Sequence, residues 1–158
     1  MAINLSTAGI RLYYAVEQTA GTQPTAGYVE LPGVKSIPDL NPAPDTLETT
    51  TLNETEYKTY IDGLKDMGGA LEFTFNLNQE LITIWKTLME AYEAAKTAGK
   101  AVWFLINVPG LTDGYYFPGN PSYMGLPPAE VSSVLEITNR ITPTGAPVQN
   151  AKPTDLAD

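Results

Sequence analysis

A chain of 158 residues, 43% hydrophobic and 17% charged, has the length and apolar weight for one domain with a substantial core. With no cysteine and no histidine it lacks disulfides, thiolate metal ligands, the commonest general base and the commonest metal ligand. Its net charge of −9 is concentrated between Asp39 and Glu80, where nine acids face two lysines, which argues against a protein that grips nucleic acid by neutralising phosphates.

No apolar run approaches the roughly 18 residues of a membrane span, and MAINLSTAG does not read as a signal peptide, so synthesis and folding in a cytoplasm are expected. Ile10 to Val16 (IRLYYAV) alternates as a first strand. From Glu17 to Pro44 the breakers Pro24, Pro32, Pro38, Pro42 and Pro44, with Gly21, Gly27 and Gly33, exclude helix and leave short extended pieces at Tyr28–Leu31 and Val34–Ile37. Leu47 to Leu52 (LETTTL) suits a half-exposed strand. Leu71, Phe73, Phe75 and Leu77 alternate with Glu72, Thr74 and Asn76, as in a strand with one buried face. The segment between them, about 53–69, is too long for a tight hairpin. It carries Tyr57, Tyr60, Ile61, Leu64 and Met67, apolar weight that a solvated loop does not need.

The one strong helix runs from Gln79 to Ala98, with Leu81, Trp85, Leu88, Met89, Tyr92 and Ala95 on one face, Asn78 as cap and Gly99 as stop. Ala101 to Val108 (AVWFLINV) is apolar on both faces and reads as a central strand under that helix. Short strands follow at Tyr115–Pro118 and Tyr123–Leu126, split by Gly119-Asn120-Pro121, then a long one over Val131–Thr142. Residues 143–158 read as a loose C-terminal tail behind a domain covering 1–142. The fold class is α+β, mainly β: a sandwich-like or barrel-like domain with one flanking helix and a long inter-strand loop.

Catalytic chemistry is thin. No SxxK, GxSxG, P-loop or GxGxxG pattern occurs, and paired carboxylates such as Asp62 with Asp66, or Glu54 with Glu56, match the background of surface acids. Asp62-Gly63 and Asp113-Gly114 lie outside any DxDxDG loop and read as turns. No catalytic, cofactor or metal residue is assigned.

The order of elements resembles a known family. DTLETTTLNETEYKTYIDGLKDMGGALEFTFNL, the helix ELITIWKTLMEAYEAAKTAGK, AVWFLINVPG and the closing VLEITNRITPTGAPV look like the major tail protein, or tail tube protein, of long-tailed phages with non-contractile tails. Thr50, Leu52 and Tyr57, the Gly63-Leu64-Lys65-Asp66 stretch and Thr142-Pro143-Thr144-Gly145 are its most specific parts. The resemblance implies a self-assembling virion protein whose hexameric rings stack into a tube for genome ejection, built in the host cytoplasm. Tape-measure, tail-tip and tail-terminator proteins are the implied companions, and DNA passes without specific binding. The long loop then reaches the adjacent ring through Leu52, Tyr57, Tyr60, Ile61 and Leu64, and the polar rows Glu72, Thr74, Asn76, Glu136 and Thr138 face the lumen. Alternatives are the tube of a contractile tail or a secretion-type machine, and a monomeric, tyrosine-rich binding module.

Overall fold

The computed structural model describes residues 4–41, 43–66, 69–153 and 156. Its larger sheet is antiparallel and follows the order β2 (Val29–Leu31), β1 (Arg11–Val16), β7 (Val102–Asn107), β8 (Asp113–Pro121), β9 (Glu136–Pro143), β6 (Leu71–Asn76) and β3 (Val34–Ser36), with β10 (Val148–Ala151) also on β8. Its two ends, β2 and β3, are joined in sequence by Pro32-Gly33: Leu31 pairs with Leu12 of β1, and Val34 with Phe75 of β6. The sheet therefore curls into a barrel-like form. The joint needs glycine, because Gly33 has φ +79° and a Cβ there would lie 3.1 Å from the Asn76 carbonyl oxygen.

The corner of the curl is β8. One edge pairs with β7 from Tyr115 to Gly119, while the other is shared by β10, opposite Asp113–Tyr116, and β9, opposite Gly119–Pro121. Gly119 sits at the crossover, where a Cβ would come within 2.7 Å of Ile141 Cγ2.

Alternation fills the interior. Phe73 and Phe75 of β6, Phe104 of β7 and Phe117 of β8 are fully buried, and Phe117 stacks against both Phe73 (6.2 Å) and Phe104 (5.4 Å). Helix α1 (Gln79–Thr97) closes this core with Leu81, Trp85, Leu88 and Ala95, as its spacing predicts. Asn78 Oδ1 caps it by accepting the Leu81 N–H at 2.9 Å, and Trp85 donates Nε1–H to the Ser122 carbonyl at 3.1 Å. Among the described residues no helix is long and apolar enough to cross a membrane.

The outer face of β1, β7 and β8 is also covered. Tyr13, Leu105 and Tyr116 pack beneath Tyr28, Trp103 and Leu156, which explains why AVWFLINV is apolar on both sides. Tyr116 donates its hydroxyl to the Ala151 carbonyl at 2.7 Å, and burial, followed by the Asp113 charge, pushes its pKa up to about 12. Beside β1, Glu17 is buried and accepts from Ala101 N–H (2.7 Å), Gly21 N–H (3.2 Å) and Trp103 Nε1–H (2.9 Å). Desolvation raises its pKa, but these three bonds outweigh that and hold the carboxyl below its ordinary value.

Several stretches fold differently from the sequence expectation. The first arm strand is β4 (Pro44–Glu48), earlier than LETTTL, and its neighbour is β5 (Tyr60–Lys65) rather than β6. Asp62-Gly63 is therefore mid-strand, not a turn: β4 has a register irregularity between Pro44 and Thr46, and a Cβ on Gly63 would lie 3.1 Å from the Asp45 carbonyl oxygen. Asp113-Gly114 likewise opens β8, where a Cβ on Gly114 would meet Leu105 Cδ1 at 2.4 Å. Gly119-Asn120-Pro121 continues β8 instead of ending it, Tyr123–Leu126 is not a strand, and β9 begins at Glu136 rather than Val131. The segment read as a loose tail forms β10. Pro42, Met67 and residues 154, 155, 157 and 158 of that segment lie outside the described residues.

Candidate functional site

The stretch expected to be an arm is a two-stranded hairpin. Leu47 pairs with Ile61 and Glu48 with Tyr60, and the ladder continues through Thr49 N–H to the Thr59 carbonyl at 2.8 Å. Thr50 Oγ1 accepts the Thr59 N–H at 2.9 Å, and Thr51 bonds the Asn53 side chain at the tip. Among the described residues no other strand and no helix packs substantially against β4 or β5. All five residues expected on the arm are exposed: Leu52 completely, Tyr57 and Leu64 by 79% and 87%, Tyr60 and Ile61 by about half. Leu47, which the sequence reading did not single out, joins them. Cross-strand register sets Leu47 with Ile61 on one face and Glu48 with Tyr60 on the other; past the register shift Lys65 returns to the Tyr60 face, so Leu64 joins Leu47 and Ile61 while Tyr60 stands on the opposite face.

The second group of expected residues also comes together. Glu72 pairs with Arg140, Thr74 with Thr138 and Asn76 with Glu136, which sets all five on the face of β6 and β9 opposite the core. Here the structure adds what the list of acids lacked. Arg140 Nε lies 3.2 Å from Glu72 Oε1, Lys35 of β3 pairs with Glu136, and the Thr74 and Thr138 hydroxyls are 3.4 Å apart. Two acids are matched by two cations, so this face is polar and charge-balanced rather than acidic. Asn76 is only half-exposed, and its Oδ1 is enclosed with no hydrogen-bond partner.

A third surface escaped the sequence reading: the connection from Ser122 to Leu135. Ser122 N–H donates to the Arg140 carbonyl (3.0 Å) at one end, and the Leu135 carbonyl accepts Leu77 N–H (2.9 Å) at the other. Between these pins Tyr123, Leu126, Val131 and Val134 are largely exposed. An open concavity of about 370 Å³ is lined by Pro128, Ala129, Ser133, Val134 and Leu135, with Glu130 and Glu136 at its margin. Pro127-Pro128 and the non-alternating spacing of these apolar residues were the available signals; Ser132, at φ +61°, breaks any strand there. Among the described residues no group of three or more Asp or Glu is placed to hold a metal ion.

No protein-family model matches the chain, and no curated protein sequence matches it. Among solved structures, a chain in the cryo-EM structure of the anti-feeding prophage (AFP) baseplate, 6-fold symmetrised, shares the fold. The TM-score is 0.61 over 96% of this chain and 98% of that one, at 11% sequence identity.

Proposed function

We propose that this chain is a structural subunit of a phage-type tail that self-assembles into six-membered rings stacked as a tail tube, the conduit for genome ejection. The observation that carries this reading is the end-to-end fold match with a chain of a baseplate solved with sixfold symmetry. An exposed apolar hairpin that the domain itself does not cover supports self-association. Rings built side by side from curled sheets give a channel wall, and the Glu72 to Arg140 and Glu136 to Lys35 pairs leave the polar face with no surplus positive charge to hold phosphates. DNA then slides past without specific binding. The chain acts without catalysis or cofactor, and its companions are tape-measure, tail-tip and tail-terminator proteins of the virion.

The same match favours a second reading, a ring component of a baseplate in a contractile tail or related injection machine. The two differ in growth, since a tube adds ring upon ring and a baseplate ring stops. Negative-stain electron microscopy of the purified chain over a concentration series separates them. Tubes with an open channel are expected; single rings favour the baseplate reading, and monomers at every concentration overturn both and favour the tyrosine-rich binding module.

A further inference from the structure

We propose that the exposed loop Ser122–Leu135 is the seat for the hairpin of another copy of the same chain, so that each subunit carries both halves of one head-to-tail contact. This deepens the assembly reading above and rests on it.

The argument starts from register. In the β6–β9 pair Leu71 lies opposite Ile141 at one end and Asn76 opposite Glu136 at the other, about 17 Å away at roughly 3.4 Å per residue. The hairpin departs from the first end: Lys65, Asp66 and Gly69 share a concavity with Thr142 and Pro143, just past Ile141. The apolar concavity of Pro128, Val134 and Leu135 opens at the second end, beside Glu136. The loop starts at Ser122, beside Arg140, and runs to the far end, so the base of the hairpin and the Pro128–Leu135 concavity mark opposite poles of a single strand direction. The hairpin projects as a ribbon with a fully exposed Leu52 at its tip, and the other pole is concave.

Shape and size agree with that pairing. The six exposed apolar side chains of the hairpin offer an area on the order of 800 Å² per partner, what a specific interface of standard size buries. From Ser122 to Leu135 the loop carries a single charge, Glu130, so an arm rich in acids meets little like-charge repulsion there. The two surfaces are unlike, so their contact is heterologous. A heterologous contact between opposite poles advances by a translation at each step and propagates instead of closing as a dimer. The polar face of β6 and β9 lies between the poles and runs along the growth axis.

Mixing two single-surface variants tests this. Tyr60→Asp with Leu64→Asp disables the hairpin, and Val131→Asp with Val134→Asp disables the seat; all four positions are exposed, and circular dichroism with thermal melts checks that each variant folds. Sedimentation velocity should show each variant alone growing no further than a single ring, with stacking at least tenfold weaker than in the native chain, and their equimolar mixture forming a 1:1 complex twice that size. In that complex the intact arms of one variant occupy the intact seats of the other, and growth stops. In a second measurement, Leu52→Cys in one chain and Ser133→Cys in another, in a protein with no other cysteine, should form an intermolecular disulfide. If the native chain assembles while mixing the variants gives nothing larger than either alone and the cysteines do not cross-link, the seat is elsewhere and the assembly reading stands. A native chain that never associates overturns both.

Discussion

The molecule contains two antiparallel strand pairs of similar length, β6–β9 and β4–β5, with opposite fates. In the first, alternation is clean: Leu71, Phe73, Phe75, Ile137 and Ile141 are buried, and the opposite face is polar. In the second nothing is buried, and apolar side chains stand on both faces. Backbone pairing is common to both, so pairing alone does not account for apolar content. An isolated two-stranded ribbon is marginally stable in water, and this one holds Leu47, Tyr60, Ile61 and Leu64 to solvent; in the proposed assembly another subunit covers it.

Removing the aromatic packing behind the buried pair should have the largest effect. Phe117→Ala removes the ring stacked on both Phe73 and Phe104 and is expected to cost about 3–5 kcal/mol in urea denaturation. Next comes Glu17. Its folded carboxyl is held below the ordinary 4.5, so its stabilisation is complete above that value and is lost as pH falls through the lower folded value. Glu17→Gln should flatten the acid limb of the stability profile below pH 4.5, and Glu17→Ala should cost about 1–3 kcal/mol at neutral pH by leaving the Ala101 and Trp103 donors unmatched.

The hairpin should behave in the opposite way. Tyr60→Asp with Leu64→Asp is expected to move folding stability by no more than about 0.5 kcal/mol per site while abolishing assembly. An equal loss of stability and assembly would place the hairpin with the core and erase the contrast. Smallest of all is the polar face: Glu72→Lys with Glu136→Lys opposes like charges to Arg140 and Lys35 at exposed sites, a cost of about 1 kcal/mol or less. Such a variant should still assemble and should slow genome passage, read as ejection kinetics; unchanged kinetics would remove this face from the channel wall.

Helix α1 and strand β6 were legible in the sequence because their burial is periodic, and β1 and β7 because a short apolar run between breakers reads as a strand; all of these signals report burial on one's own domain. The hairpin's second strand was not, because YIDGLK buries nothing and therefore lacks a one-sided pattern. Glycine misled at Gly63, Gly114 and Gly119, where it accommodates a close neighbour inside a strand rather than a turn, and a single sequence does not show the atom across the sheet. The five exposed apolar residues of the hairpin and the five polar-face residues were nevertheless nameable from the sequence, the first by their apolar character and the second by alternation. Arg140 and Lys35, which neutralise that face, are far from Glu72 and Glu136 or on another strand, and only the fold brings them together. Within the loop from Ser122 to Leu135, Tyr123–Leu126 and the start of Val131–Thr142 were read as strand, as tyrosine and valine favour, although among the described residues no neighbour offers a ladder there.

Hydrogen exchange of the dispersed and the assembled chain, followed segment by segment, tests the contrast most directly. In the dispersed chain the amides of β6 and β9 should be strongly protected and those of β4 and β5 should exchange close to freely; on assembly the hairpin amides should gain protection by an order of magnitude or more while β6 and β9 stay unchanged. Hairpin amides already as protected as β6 in the dispersed chain, or indifferent to assembly, would contradict the account of the hairpin as an arm completed by another subunit.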